Sequence, residues 1–394
     1  MRTSERLEAL GAGVFARMDR RKQAYAASAA SVGQPLIDLS LGSTDLQPPK
    51  AVLDVFAGAL ADPASAAYCL QAGTLPFREA VAAWVQRRFG VSVDPRSEVL
   101  LLVGSQEGTA HLPLALLNAG EGALVLDPCY PSHAGGVLLA GGRLRRLRLR
   151  ADQGWQPHWD QLSDGDWEQL RLLVFGFPHN PTATVGGQEW LEEALARTRR
   201  HGLVLAHDNP YVDLALDGEA PALLRCPQWR EGGIEFFSLS KAWCLGGFRL
   251  AFAVGAAPLI EALARVKAVI DFNQSLALQA GAAAALRDWP DWSQRLLPVY
   301  RARREAMGNA LGRAGWNVPP PGMALYHWLP LPPALQGLGS EEACSQLLQR
   351  SGVALTPGVG FGPGGEGWLR LALVREEPVL LEAARRLADA VTGC

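Results

Sequence analysis

Short apolar runs recur through the middle of the chain, each closed by a turn-forming residue. The segments 99–103, 123–126, 172–177 and 203–206 are four to six residues long and apolar throughout, and Gly, Pro, Asn or Asp follows each. Two more, 234–238 and 250–254, flank a polar turn. Runs of this length without polar alternation predict strands buried on both faces. Longer amphipathic stretches at 111–119, 188–201 and 258–269 predict helices between or after them. Apolar strands separated by helices predict an α/β unit with a mostly parallel central sheet covered by helices. From about Trp289 the pattern changes. Long arginine-bearing helical stretches (295–311, 341–351, 378–391) bracket strands at 323–328 and 368–373, which predicts a smaller α+β domain. A helix over 4–27 and an extended segment open the chain and are expected to join that smaller domain. The predicted division is therefore a large domain over 46–285 and a small one made of 1–45 with 286–394.

Composition narrows the functional classes. A chain of 394 residues suits two domains; 48% hydrophobic and 19% charged residues are ordinary for a globular enzyme. The formal net charge of −2 offers no field for nucleic acid, so no nucleic-acid partner is expected. Arginines are dense only over 143–150, where their alternation with Leu predicts an edge strand with a solvated face. No apolar run reaches membrane-spanning length, so no membrane partner is expected, and the N-terminus shows no signal-peptide core. Six cysteines, at 69, 129, 226, 244, 344 and 394, are scattered without a Cys-x-x-Cys pair. That pattern predicts free thiols in a reducing cytoplasm, and neither a disulfide framework nor a metal site.

The most informative stretch is Ser238-Leu-Ser240-Lys241 with Arg249 eight residues on. It sets one lysine among hydroxyls between two apolar runs, on a turn at a strand end inside the protein. A buried unpaired lysine tends to shed its proton, and a neutral amine can form a Schiff base with a carbonyl. Hydroxyls and a guanidinium suit a phosphate. Together they suggest a ligand carrying both an aldehyde and a phosphate, namely pyridoxal phosphate (PLP). A lone Ser-x-x-Lys is more often an ordinary surface turn; what reverses the odds is a set of distant partners.

Those partners sit where ligands bind in such sheets, beyond the strand ends. Gly104-Ser105-Gln106-Glu107-Gly108 reads as a turn into a helix that opens at about Thr109, and a helix N-terminus attracts anions. Tyr130, in Asp127-Pro-Cys-Tyr130-Pro, is either a packed aromatic or a ring face offered to a planar cofactor. Asn180, in His179-Asn180-Pro181, makes a turn and could donate to a phenolic oxygen. Asp208, in His207-Asp208-Asn-Pro-Tyr211, needs a partner if buried; a protonated pyridine would serve, and a turn or helix cap is the alternative. His207 should face the opposite side of its strand. Asn180 and Tyr211 could both reach the cofactor's ring oxygen.

In this order the motifs resemble the class I/II, fold-type-I PLP-dependent aminotransferases, over about residue 10 to the C-terminus, and most closely the branch holding the diaminopimelate and N-succinyldiaminopimelate aminotransferases. Supporting blocks are 37–45 (Ile-Asp-Leu-Ser-Leu-Gly-Ser-Thr-Asp), 68–73 leading to Phe77-Arg78, 356–362 and 368–371. The resemblance implies the PLP-dependent transferase fold. It implies that Lys241 holds PLP covalently, that Asp208 pairs with the pyridinium nitrogen, and that Asn180 and Tyr211 meet the ring oxygen. The amides of Ser105 and Gln106, the Ser238 and Ser240 hydroxyls and Arg249 would hold the phosphate, and Tyr130 would stack on the ring. Arg370, helped by the Gly42 N–H, would clamp the substrate α-carboxylate. Tyr68 would reach the neighbouring subunit's site, which implies a homodimer. The implied reaction is ping-pong amino transfer from an L-amino acid to a 2-oxo acid such as 2-oxoglutarate, with a diaminopimelate or its N-succinyl derivative as a candidate donor and Lys241 moving the Cα proton.

Two departures stand out. Ala183 takes a place where glycine is usual, which questions the backbone of the Asn180 turn. Cys69, Leu70 and Gln71 follow Tyr68 where substrate-facing residues often lie. Competing readings are a β-elimination enzyme for cystathionine-like substrates and the ligand-sensing module of a transcription regulator. The latter normally needs a DNA-binding domain ahead of it, for which roughly 45 residues are too few.

Overall fold

The computed structural model describes residues 2–11, 13–69 and 72–392. Its first strand, β1 (Ile37–Asp38), lies outside the main sheet. The apolar runs then form β2 (Val99–Val103), β3 (Gly122–Asp127), β4 (Arg143–Arg148), β5 (Leu170–Phe175), β6 (Val204–Asp208), β7 (Gly233–Ser238) and β8 (Leu250–Gly255). They assemble in the order β2-β8-β7-β6-β5-β3-β4. The pairings from β7 through β4 are parallel; β8 runs antiparallel to both β7 and β2. The sheet is thus mostly parallel, and its central strands are buried on both faces as their unbroken apolar sequences require. β4 is the edge. Its arginines alternate outward while Leu147 is fully buried, so charge blunts the open hydrogen-bonding side.

A three-stranded antiparallel sheet follows, built from β9 (Tyr326–Pro330), β11 (Thr356–Pro357) and β12 (Trp368–Ala372), while β10 (Val353–Ala354) pairs in parallel with β1. Two large apolar clusters result. One runs from Val52 to Leu286 around the main sheet. The other joins Met18, Ile37 and Leu39 to residues between Leu296 and Ala390, and takes in Ala183, Tyr211, Leu214 and Leu216 from loops beyond the main sheet. Helix Val14–Ala26 is tied to helix Ser340–Ser351 by Arg17, whose Nε and Nη2 reach Glu341 at 2.8 and 2.7 Å.

Several expected boundaries are corrected. The predicted helix 4–27 is two helices, Glu5–Ala9 and Val14–Ala26, because Gly11 adopts φ 68° between them. Arg6 of the first bonds the Leu139 carbonyl, on a helix flanking the main sheet. The helix expected at 111–119 opens earlier, as Ser105–Leu116. The strand expected at 323–328 starts at Tyr326, since Leu325 sits at φ 84°, where an extended strand cannot pass. Among the described residues no helix is long and apolar enough to cross a membrane.

Candidate active site

Glycine is required at residue 104 for two reasons. Its φ is 78°, and a Cβ there would stand 2.1 Å from Arg249 Nη2. This turn delivers the N-terminus of helix Ser105–Leu116 and the Arg249 guanidinium to one place. Arg249 itself takes a left-handed backbone (φ 54°) and bonds the Gly246 carbonyl at 3.0 Å. The Ser238 hydroxyl accepts from Ser240 N at 3.1 Å and caps the single helical turn Leu239–Ala242. Lys241 rides on that turn and donates from Nζ to the Gly42 carbonyl. The expectation that Lys241 is sealed inside the protein is corrected: it is half-buried and lines an open cavity of about 400 Å³.

Asp208 ends β6 and is 8% exposed. Its Oδ2 meets His133 Nε2 at 3.0 Å, whereas Oδ1 has no hydrogen-bond partner. Burial works against a charged His133 ring, but the bond to Asp208, with a contribution from Cys129, carries it up to about 9. The bond to Asp208 thus favours the charged form of the His133 ring over what burial alone would allow. The neighbours of Asp208 turn away, as strand alternation demands. His207 Nδ1 and Asn209 Nδ2 each stand 2.8 Å from Oε1 of the fully buried Glu235.

Arg370 closes a ring of polar contacts across the cavity. Its Nη1 donates to Asn180 Oδ1 at 2.9 Å, Asn180 Nδ2 donates to the Tyr211 hydroxyl at 3.4 Å, and that hydroxyl is 3.2 Å from the Tyr326 hydroxyl. The guanidinium carbon then lies 4.4 Å over the Tyr326 ring. Arg370 Nη2 bonds the Ser40 carbonyl at 2.9 Å, and Nε is buried without a partner. Ala183 does take the left-handed conformation (φ 59°), at a cost of about 1–2 kcal/mol. Its N–H bonds the His179 carbonyl at 2.8 Å, and its carbonyl accepts from Gly322 and Met323, which hold the Asn180 turn against the segment leading into β9.

The cavity is lined by Gly42, Ser105, Gln106, Tyr130, Asn180, Asp208, Tyr211, Ser238, Ser240, Lys241, Arg249 and Arg370. The Tyr130 hydroxyl also bonds Gln106 Oε1 at 3.1 Å. Tyr68 is not brought in: it is 89% exposed and its ring stands 6.4 Å from that of Phe272. Cys69 is half-buried and does not line the cavity; Leu70 and Gln71 lie outside the described residues. Sequence reasoning missed His133 and Tyr326. Neither carries a motif; only the folded chain brings them to Asp208 and Tyr211.

Sequence reasoning also missed the support beneath the Gly104 turn. Glu107 accepts from Val103 N across that turn, and both its oxygens take Lys267 Nζ at 3.0 Å. Asp271 binds the same ammonium at 3.0 Å, so Lys267 fills the acidic cluster that Glu107, His111 and Asp271 form. Burial raises the Glu107 carboxyl to about 7, against the pull of Lys267. Lys267→Met removes one partner of a buried pair and is expected to cost about 3–5 kcal/mol. A carboxyl raised above its unfolded value favours folding below that value, and the benefit is lost as pH rises through the folded value. Thermal scans should therefore show a wider gap in Tm between wild type and Lys267→Met at pH 8.5 than at pH 6. An equal gap would mean that Glu107 is not the group left unpaired.

The pattern described as "Aminotransferase class I and II" matches residues 34–387. The chain is 35% identical over 388 residues to the LL-diaminopimelate aminotransferase of Oleidesulfovibrio alaskensis, with 98% of each chain covered. It is likewise 35% identical to that of Moorella thermoacetica, again with 98% of each covered. Among solved structures it resembles a probable N-succinyldiaminopimelate aminotransferase from Thermus thermophilus, at 43% identity and a TM-score of 0.89, covering 96% of this chain and 100% of that one. A Thermus thermophilus aspartate aminotransferase mutant superposes with a TM-score of 0.90 at 25% identity, covering 99% of this chain and 100% of that one. By its sequence and its fold, this chain belongs to the class I and II aminotransferases, enzymes that depend on pyridoxal phosphate.

Proposed function

We propose that the enzyme moves an amino group from an L-amino acid to 2-oxoglutarate by a ping-pong mechanism, and that its donor is LL-diaminopimelate or the N-succinyl derivative. The observation that carries the reaction type is the convergence of Lys241, Asp208 and Arg370 on one cavity. The donor rests on the names of the relatives.

The residues fit PLP. Asp208 Oδ1, buried and without a partner, suits a protonated pyridine nitrogen. Asn180 and Tyr211 offer hydrogen bonds to a ring oxygen, and Tyr130 offers a ring face. The Ser105 and Gln106 amides, the Ser238 and Ser240 hydroxyls and Arg249 surround a phosphate position at a helix N-terminus. When bound, PLP supplies a sink for the electrons left at the substrate Cα. Lys241 then has two tasks: it holds the cofactor until a donor arrives, and once free it takes the Cα proton and delivers it as general acid. Arg370, with the Gly42 N–H, holds the α-carboxylate so that the Cα–H faces Lys241.

The same proposal covers the organisation of the chain. The large unit spans 46–285 and the small unit 1–45 with 286–394, in keeping with the two apolar clusters. The enzyme works in the cytoplasm as a homodimer, with the exposed Tyr68 reaching the partner's cofactor phosphate.

A half-reaction screen tests this reading. PLP-loaded enzyme is mixed with single amino acids and the cofactor absorbance is followed. Conversion by a diaminopimelate and by L-glutamate is expected, whereas pyruvate and ammonia release without an oxo-acid acceptor would point to β-elimination. Arg370→Lys checks the carboxylate site. Lysine cannot reproduce the paired bonds of a guanidinium, and losing a hydrogen bond to a charged group costs about 1.5–3 kcal/mol. kcat/KM should fall at least about tenfold for every amino and oxo acid. A loss confined to dicarboxylic substrates would assign Arg370 to the side chain instead.

A further inference from the structure

The face of the main sheet that turns away from the cavity carries a buried polar pair that none of these roles uses. His207 and Glu235 are both fully buried, on the side of the sheet opposite Asp208. The register sets them side by side: His207 pairs with Phe175 of β5 on one flank and with Glu235 of β7 on the other. The ladder between β5 and β6 stops at that row, so the backbone of Phe177, two residues on, has passed beyond it. The His207 ring takes up the connection. Its Nδ1 stands 2.8 Å from Glu235 Oε1, and its Nε2 stands 3.0 Å from the Phe177 carbonyl oxygen and 3.3 Å from the Phe177 nitrogen. A neutral ring that donates from Nδ1 can accept from the Phe177 N–H, and a charged ring can donate to the Phe177 carbonyl instead. Either protonation state therefore leaves both ring nitrogens partnered. Glu235 is held in turn, since Oε1 also accepts from Asn209 Nδ2 at 2.8 Å and Oε2 from Leu224 N at 3.1 Å.

Each tied point leads directly to cavity residues. Asn180 follows three residues after Phe177, Asp208 is next to His207, and Ser238 and Lys241 follow Glu235 by three and six residues. All four line the cavity, and they come from three neighbouring strand ends. A planar cofactor touches all of them at once, so a spacing error between two of them is not absorbed by turning the ligand. A misplacement of about 1 Å, even one that starts far from the chemistry, can cost about 10²-fold in rate. Such groups need a supporting layer of hydrogen bonds to hold them. His207 supplies one with a single rigid ring, shielded from water.

We propose that His207 is a positioning residue: its imidazole, bound to Glu235 on one side and to the Phe177 backbone on the other, sets the spacing of Asn180, Asp208, Ser238 and Lys241 around pyridoxal phosphate. The ring acts through these neighbours and does not line the cavity itself. The inference rests on the cofactor roles proposed for those four residues, and its test separates the two.

Removing His207 alone would strip the buried Glu235 carboxylate of a partner, so both are replaced together, His207→Phe with Glu235→Leu, by apolar groups of similar shape. The double variant is expected to fold. Its Kd for PLP should rise at least about tenfold, its kcat should fall about 10- to 100-fold, and the circular-dichroism band of the bound cofactor should weaken. His207→Gln, which can reach Glu235 or Phe177 but not both, should fall between the double variant and wild type. The control is Leu205→Ala, a fully buried change two residues earlier on the same face of β6. It should lower Tm through the cavity it leaves, yet keep the Kd for PLP within about twofold and the band unchanged. Equal losses in Leu205→Ala would make the effect one of stability and overturn the proposal. Wild-type Kd and band in the double variant, with Asp208→Asn altering the band, would overturn the tie alone. If neither alters the band, the cofactor roles of the cavity residues fall with it. Should the double variant not fold, His207→Gln decides: an unchanged Kd and band refute the role. The two cofactor readouts need no turnover, so they decide even if no amino acid tested reacts.

Discussion

Lys241→Ala should reduce turnover by at least about 10⁴-fold, the upper range for loss of a general acid–base group, because the proposed reading gives the same side chain the anchoring of the cofactor as well. The one-turn helix Leu239–Ala242 and its Ser238 cap do not involve the lysine side chain, so the backbone should survive. The turn around Gly104 and Arg249, proposed to hold the cofactor phosphate, should survive too. PLP is therefore expected to bind still, but reversibly. Borohydride treatment followed by mass measurement should find the cofactor attached to wild type and absent from Lys241→Ala. A reducible adduct of equal yield in the variant would place the attachment elsewhere.

Asp208→Asn is the second large effect. The substitution keeps the shape and removes the charge that would hold a pyridine nitrogen protonated. A loss of about 10²-fold or more in kcat follows from weakening that electrostatic support. It also deprives His133 of its anion. His133 is raised to about 9 from 6.5. A histidine raised in this way adds stability that is full below its unfolded value and disappears as pH rises through the folded one. Asp208→Asn should remove that contribution. Its Tm deficit against wild type should be large near pH 6 and shrink above pH 9. A deficit independent of pH would show that the His133–Asp208 contact is not ionic, and near-normal kcat at saturating PLP would assign the nitrogen to another group.

The main sheet was legible because its strands are apolar on both faces and each ends in a turn former. The candidate site was legible for a related reason. Asn180, Asp208 and Lys241 follow such strands closely, so strand ends locate them without any knowledge of strand order. Residues whose position depends on that order were not legible. His133 meets Asp208 across 75 positions of sequence, and Glu107 meets Lys267 across 160. Nothing local in either segment signals the partner. The boundary errors have local causes. Gly11 interrupts the helical run with a left-handed backbone, and Leu325 adopts a backbone that its aliphatic side chain does not predict. The helix at Ser105 opens with Ser-Gln-Glu-Gly, so its first turn lacks the apolar positions that would announce it.

The pairing of β1 with β10 bears on how the chain matures on the ribosome. Ile37 must wait for Val353 to be synthesised, whereas all seven strands of the main sheet are complete once Gly255 has emerged. Domains fold as units, with N-terminal ones first during synthesis. Here the order is inverted for β1: it is made before the main sheet, yet its partner strand is made after it. Arg370 is also made late, and it comes from the strand that closes the polar ring with Asn180 and Tyr211. A nascent chain halted before β12 thus carries Lys241 and the Gly104 turn but lacks Arg370, the residue proposed to hold the substrate carboxylate.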